Sequence, residues 1–462
     1  MTERPNIVWI TLDSVRRDRT TLGGHHRDTT PRMQALADEP AGQDLSACFA
    51  HSQWTLGSSG SILTGTYPSH SRIGMEGDRV PDELTTVPEL FRDVGYRTAC
   101  LSRNSHVSAA TGLDRGFDRF EWLAADTLLE AAGPRSLVKY ALNIRRHSAG
   151  LTPDTAKHAT PYLMNDIATR WLDDLADAEP FLFYLHYNEP HRPYYPPLPW
   201  LDRYTADLDI TAREAADISM DIHRNLMKRV AAGCDLSDRE MAALKAMYDA
   251  EVAYTDEMVG RLVEAVRERV PGDTVVVVTA DHGELFGEHG LLSHRWVLDD
   301  ALINVPTVVH GADLDVADDD LVQHVDLLQT LLARAGGDTA QLQGIDLDER
   351  ERDYVVAQRS PMDFEGLLGA DPDYDTSRFH SGLLTALRTR EFKYQTSGER
   401  SELFALPNET IDATDEYPEM AEELAALTES WLADEGAPVG EAQHAEFDDA
   451  MRKQLADLGY LE

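Results

Sequence analysis

Four short runs constrain this chain more than anything else in it: NIVWITL (6–12), YRTACLS (96–102), FLFYLHY (181–187) and TVVVVTA (274–280). Each is rich in β-branched and aromatic residues and almost continuous in its apolar character. A strand with one wet face alternates, whereas a strand apolar along its whole length is buried on both faces, as in parallel sheets sandwiched between helices. Helical patterns lie between the runs, near 31–38, over 87–94 and over 244–270. In the last of these, YDAEVAYTDEMVGRLVEAV keeps apolar positions three and four apart. Such alternation predicts an α/β fold, a doubly wound and mainly parallel sheet flanked by helices. Segments 125–175 and 200–240 read as polar, helix-leaning insertions over one edge. Beyond about residue 350 the character changes: ALRTREFKYQ (386–395) predicts strands of a second, small sheet, and 415–462 an acidic, Ala/Leu-rich helical tail. The expected division is a main domain over 1–350 carrying both insertions and a small C-terminal α+β subdomain over 351–462.

Charge narrows the partners. The 462 residues hold 82 Asp+Glu against 42 Lys+Arg, a net charge of −40. A surface this acidic repels phosphate backbones, which excludes nucleic acid as a partner. Only six of the basic residues are Lys. Heavy Asp and Glu with scarce Lys match the proteins of salt-accumulating halophiles, whose carboxylate surfaces stay hydrated in molar salt. No stretch approaches the ~18–20 uncharged apolar residues needed to span a bilayer. The opening MTERPNIVWITLD lacks a basic run followed by a short apolar segment, so it reads as a first strand and not a signal peptide. Cys48, Cys100 and Cys234 are odd in number and without metal-like spacing, which suits a reducing, cytoplasmic setting.

In open α/β sheets ligands bind beyond the carboxyl ends of the strands, so the residues after each run carry the chemistry. Asp13 follows the first; Arg103, Asn104 and His106 follow the second. Asn188, Glu189, Pro190 and His191 follow the third, and Asp281, His282, Gly283 and Glu284 the fourth. Asp281 and His282 with Asp13 form a plausible oxygen and nitrogen ligand set for a divalent cation. Asp281 could equally cap the next turn, although DHGELFGEHG (281–290) holds more Gly and acid than a simple strand-to-helix connection needs. In SQWTLGSSGSILTGTYP (52–68), Thr55 stands at or near the N-cap of a helix that ends at a Gly C-cap. Its hydroxyl could be a plain cap, or a nucleophile activated by a neighbouring metal at an anion-attracting helix end. His25 and His26 read as loop residues and His186 as packing beneath the site. Glu288 and His289 either line the entrance or solvate a loop.

These blocks together resemble the sulfatases and related metal-dependent phosphate and phosphonate ester hydrolases of the alkaline phosphatase superfamily. The resemblance rests on PNIVWITLDSVRRD, RDTTP (27–31), SILTGTYPSHS (61–71), GYRTA (95–99), GFDRF (116–120), EPHRPY (189–194), YDAEVAYTDEMVG (248–260), TADHGELFGEHG (279–290), HVDLLQTLL (324–332) and RTREFKYQ…SELFAL (388–406). It implies an alkaline phosphatase-like catalytic domain over 1–350. It also implies one divalent ion (calcium, manganese, zinc or magnesium) held by Asp13, Asp281 and His282, with the oxygen of Thr55 as further ligand and nucleophile. His191 would contact or protonate the oxyanion or leaving group. His294 or Arg295 falls where the family places another basic residue, and Arg103 near a family lysine. The implied substrate is a small sulfate or phosphate ester, sugar- and lipid-linked ones included.

The departures are informative. Sulfatases carry Cys or Ser followed by x-P-x-R and oxidise the first residue to formylglycine; here the frame reads Thr55-Leu56-Gly57-Ser58-Ser59. Oxidation of a secondary alcohol gives a ketone, which hydrates poorly, so the geminal diol a sulfatase uses would not form. An unmodified Thr can still attack, leaving a phospho- or sulfo-threonine for water to cleave. Ser14 replaces the second Asp of the family's frequent pair, and the D-x-x-R-x-D spacing of Asp13, Arg16 and Asp18 looks like the phosphonate monoester hydrolase variant. Gln329 replaces a family Pro. A phospho- or sulfo-group transferase using the same covalent intermediate is the alternative, and a non-catalytic relative the third reading.

Overall fold

In the computed structural model, which describes residues 4–458 except 125–126, 153, 155–156 and 178–179, the four apolar runs become neighbouring strands of one sheet. The excepted positions of the insertion expected over 125–175, and 459–462 of the tail, lie outside the described residues. The sheet contains β1 (Asn6–Leu12), β2 (Gly42–Asp44), β3 (Arg97–Ser102), β4 (Arg119–Trp122), β5 (Phe181–Tyr187), β6 (Thr274–Ala280) and β7 (Thr307–His310). Their order is β2-β7-β6-β1-β5-β3-β4. From β6 to β4 every pairing is parallel. Only the edge is antiparallel, where β7 pairs with β6 and β2. Trp9 at the centre faces Tyr184 on one side and Val277 on the other. Every residue of β1 and β5 is buried, as their unbroken apolar character requires.

Helices cover the sheet: α1 (Pro31–Ala37), α2 (Thr55–Thr64), α3 (Val87–Asp93), α4 (Leu128–Asn143), α5 (Pro161–Ala176), α6 (Ala212–Arg224), α7 (Asp238–Arg269) and α8 (His324–Arg334). The long α7 starts ahead of the expected residue 244 because Ser237 and Glu240 form a capping box, each side chain accepting from the other's backbone N–H. The helical leaning of 125–175 and 200–240 is seen in the fold: the first supplies α4 and nearly all of α5, and the second α6. No helix among the described residues is long and apolar enough to cross a membrane.

The small C-terminal sheet is an antiparallel meander of β8 (Val355–Arg359), β9 (Leu384–Arg388), β10 (Phe392–Thr396) and β11 (Ser401–Ala405). Alternation sorts its side chains. Val355, Ala357, Leu384 and Ala386 join the main core, while Val356, Leu387, Tyr394 and Leu403 pack under α9 (Pro418–Ala433). Trp431 of α9 meets Tyr67 edge-to-face at 4.9 Å. The tail closes with α10 (Asp449–Leu458).

Candidate active site

Because β6, β1, β5 and β3 run parallel side by side, their carboxyl ends open on the same edge. The ladder continues one residue past each strand. The Asp13 N–H donates to Tyr187 O at 3.2 Å, the Asp281 N–H to Leu12 O at 3.1 Å and the Arg103 N–H to His186 O at 3.1 Å. The sheet therefore fixes Asp13 and Asp281 as neighbours, both fully buried. Ser14 holds the pair: its hydroxyl donates to Asp13 Oδ1 at 2.8 Å and its N–H to Asp281 Oδ1 at 3.2 Å. It does so from a left-handed backbone (φ 66°), a strained conformation for a non-glycine residue. The Tyr248 hydroxyl of α7 secures that turn by donating to Ser14 O at 2.8 Å.

The His282 ring completes the group. Its Nδ1 lies 2.8 Å from Gly283 O, which assigns the proton to Nδ1 and leaves the Nε2 lone pair facing inward. Nε2 stands 3.6 Å from Asp13 Oδ1 and 3.7 Å from Asp281 Oδ2. Among the described residues, Asp13, Asp281 and His282 are the one group of acidic, imidazole or thiol side chains whose ligand atoms gather within 4.8 Å. Burial pushes both carboxyls well above the usual carboxylate range, and for Asp13 the nearby Asp281 adds to it. Asp281 Oδ2 is buried with no hydrogen-bond partner. Two buried carboxyls side by side, an orphaned oxygen and an inward lone pair fit a divalent cation, which would be bound by the deprotonated carboxylates and the neutral imidazole.

Thr55 arrives on α2, all of whose residues are buried. The N-cap is Trp54 rather than Thr55, which is the first helical residue. Its hydroxyl turns to the cluster instead of capping: Oγ1 lies 3.5 Å from Asp13 Oδ2 and 3.4 Å from His282 Nε2. Gly65 (φ 69°) ends the helix in the left-handed C-cap expected of it. Gly57, where the family frame has Pro, meets the backbone of Gly74 so closely that a Cβ on Gly74 would lie 2.6 Å from Gly57 Cα.

Two more predicted residues join the site. The His294 ring sits 4.6 Å from that of His282 and 5.2 Å from that of His191. Burial holds both His191 and His294 well below the ordinary histidine range, hence neutral. His191 Nδ1 faces Arg192 O at 2.9 Å. Arg295, the alternative to His294, instead lies over the Trp296 ring at 6.0 Å. Arg103 occupies its strand end half-buried, and its charge acts on Glu189. His186 packs beneath, its Nε2 3.5 Å from Asp281 Oδ2. His25 joins Arg19 and Arg27 around the buried Asp249. Glu288 pairs with Arg16 and His289 with Asp299, so both hold the loop together.

Sequence reasoning gave no role to four neighbours of the site: Asn104, Arg192, Tyr194 and Glu284. Asn104 donates from Nδ2 to Asp13 Oδ2 at 2.9 Å, and Tyr194 donates to Glu284 Oε2 at 2.7 Å. Arg192, only 6% exposed, donates from Nε to Ser293 Oγ at 3.1 Å. Asn104 and Glu284 stood among the strand-end residues, but position alone gave them no role.

A sulfatase family model matches residues 5–337. An uncharacterized sulfatase, YidJ, of Escherichia coli K12 is 25% identical over 344 residues, 72% of this chain and 68% of the relative. An ulvan-active sulfatase of Formosa agariphila is 24% identical over 486 residues, 99% of this chain and 82% of the relative. The crystal structure of a phosphonate monoester hydrolase of Agrobacterium radiobacter shares the fold, with a TM-score of 0.71 and 20% identity over 94% of this chain and 96% of that one.

Proposed function

The chain belongs to the sulfatase family of the alkaline phosphatase-like superfamily, and from that premise we propose that it hydrolyses sulfate or phosphate and phosphonate esters with Thr55 as nucleophile. The observation that carries this reading is the Thr55 hydroxyl standing 3.4–3.5 Å from His282 and Asp13, inside a buried carboxylate–imidazole group. Asp13, Asp281 and His282 would hold a divalent cation, which supplies Lewis acidity to the ester oxygens and to the hydroxyl of Thr55. Thr55 attacks sulfur or phosphorus, and the positive end of the α2 dipole offsets charge on the equatorial oxygens. His191 and His294 contact the oxyanion and leaving group. Arg103 adds positive charge at the rim. The unmodified Thr favours phosphorus esters, since no hydrated aldehyde is available for sulfatase-type release. We further assign the catalytic unit to 1–350 and a supporting subdomain to 351–462. The −40 charge supports a halophilic setting, so molar KCl is the assay medium.

The test is a rate panel in molar KCl with manganese, calcium or zinc. It compares p-nitrophenyl phosphate, the bis-ester, a phenylphosphonate ester and p-nitrophenyl sulfate, with and without alcohol acceptors. Thr55→Ala is expected to lose about 10²-fold or more in turnover. Activity that survives the substitution refutes Thr55 as nucleophile. Transfer to added alcohols in place of water would make the protein a transferase.

A further inference from the structure

Four arginines among the described residues are at most 9% exposed: Arg16, Arg17, Arg192 and Arg359. Arg16 is paired with Asp18 and Glu288, and Arg17 with Asp44. Arg359 lacks a carboxylate, but both of its Nη groups donate to backbone carbonyls, of Ser360 and His380, at 2.7 Å. Arg192 has neither solution. Its Nε donates to Ser293 Oγ at 3.1 Å and its Nη1 faces His223 Nδ1 at 3.3 Å, and neither partner carries negative charge. No carboxylate among the described residues comes within 4.0 Å of it. A guanidinium does not give up its proton in a protein, so the charge stays, and burying it without a counter-charge is costly. We propose that Arg192 binds a single halide ion, chloride in a saline medium, which supplies the missing charge. Nothing in this inference depends on the role of Thr55.

The place for the ion is a small cavity between a hairpin, α6 and α7. Residues 285–286 and 292–293 form the two strands of that hairpin, and one residue further along each, Glu284 Oε1 and His294 Nδ1 stand 3.6 Å apart. The cavity measures about 20 Å³. Arg192 lines it together with both of its hydrogen-bond partners, Ser293 and His223, which sets the guanidinium at its wall. Ile222, Leu244, Phe286 and Leu292 close the other sides with hydrocarbon. About 10–15 Å³ is enough for one water, so a monatomic ion fits and sulfate, phosphate or a carboxylate does not. Water would fill the space but leave the charge unbalanced. Chloride and bromide are weakly hydrated and polarisable, which suits a guanidinium on one side and carbon on the others. Fluoride holds its water too tightly for walls with so few donors. The one competing charge is Glu284, whose carboxylate responds to Arg192 from beyond ion-pair distance. Its Oε2 already accepts the Tyr194 hydroxyl at 2.7 Å. Coulomb attraction falls inversely with distance, so an ion touching the guanidinium outweighs this more distant carboxylate. The ion would tie three segments together: the loop after β5 through Arg192, the hairpin through Ser293 and α6 through His223.

The test needs no substrate. Full-length wild type is placed in molar potassium gluconate, and chloride, bromide or fluoride replaces gluconate stepwise at constant potassium while the melting temperature is followed. A specific site saturates, whereas a general salt effect grows steadily with concentration. Chloride and bromide should give a saturating rise at millimolar anion, and fluoride should not. At a hundred times the Kd the rise should reach about 3 °C for a chain of this length. Arg192→Met removes the charge and should abolish the response. Arg359→Met removes the other guanidinium without a carboxylate and should keep it. Crystals of wild type grown in potassium bromide should show an anomalous bromide peak in the cavity against Arg192. A rise that does not saturate, a response that survives Arg192→Met, or crystals without that peak overturn the proposal. Should Arg192→Met fail to fold, the wild-type titration and the bromide peak decide on their own. Turnover, or its absence, on any ester bears on the Thr55 reading and leaves this one standing or falling by the halide alone.

Discussion

Glu251 is the buried acid whose placement makes the sharpest prediction about stability. It lies on α7, 5% exposed, with Oε1 accepting the Tyr195 N–H at 3.0 Å and Oε2 without a hydrogen-bond partner. Burial, with a smaller contribution from the carboxyl of Glu189, pushes its pKa up to about 8 from an ordinary 4.5. The folded state therefore holds a proton that the unfolded chain releases above pH 4.5. Wherever the folded state binds more protons, stability falls as pH rises. The contribution is thus complete below pH 4.5 and is lost progressively until pH 8. At 1.36 kcal/mol per unit, the loss amounts to about 3 kcal/mol by pH 7 and approaches about 5 kcal/mol above pH 8. Glu251→Gln keeps an acceptor for the Tyr195 N–H and cannot ionise. Urea denaturation of both proteins in molar KCl at pH 5, 7 and 9 checks this. The variant should gain on wild type by about 2–3 kcal/mol between pH 5 and 7, and gain further by pH 9. A difference that stays constant across the three pH values would show that Glu251 titrates as in an open chain, and the burial argument would fail.

Three further substitutions test how the site is held. Asn104→Ala removes the donor to Asp13 Oδ2 and should weaken manganese binding by about 10- to 100-fold in a calorimetric titration, the scale of lost ligand-orienting contacts. Asp249→Asn removes the buried carboxylate that gathers Arg19, His25 and Arg27. Urea unfolding should show a loss of about 3–5 kcal/mol, because the guanidiniums of Arg19 and Arg27 are left facing one another. Gly74→Ala puts a Cβ 2.6 Å from Gly57 Cα at a φ of 72°, forcing backbone away from backbone beside Thr55. Displacing Thr55, the proposed nucleophile, by a fraction of an ångström to one ångström should cost up to about 10²-fold in turnover; unchanged turnover would mean that α2 is not positioned by this contact.

What the sequence disclosed, and what it withheld, follows from how far each interaction reaches. The sheet was legible because strands buried on both faces need unbroken apolar runs. Once β6, β1, β5 and β3 are parallel neighbours, Asp13, Asp281 and the residues after Ser102 and Tyr187 must share one edge. The antiparallel edge was not legible: β2 and β7 are three and four residues long, too short for a pattern, and their direction is set by pairing. Thr55 shows the harder limit. A threonine at a helix start has the same local sequence whether it caps or turns to a neighbouring cluster, and the direction of its hydroxyl is set by Asp13, 42 positions away, and His282, 227 positions away. Asn104 is equally silent, because its partner Asp13 is 91 positions distant. Glu284 is different. Its partner His294 lies within DHGELFGEHGLLSH, and the register of a short hairpin is all that joins them. Reading that loop as a ladder instead of an irregular connection would have placed the carboxylate against the imidazole from the sequence alone. The second layer of a site is thus readable where the chain folds back on itself within about ten residues, and unreadable where separate strands meet.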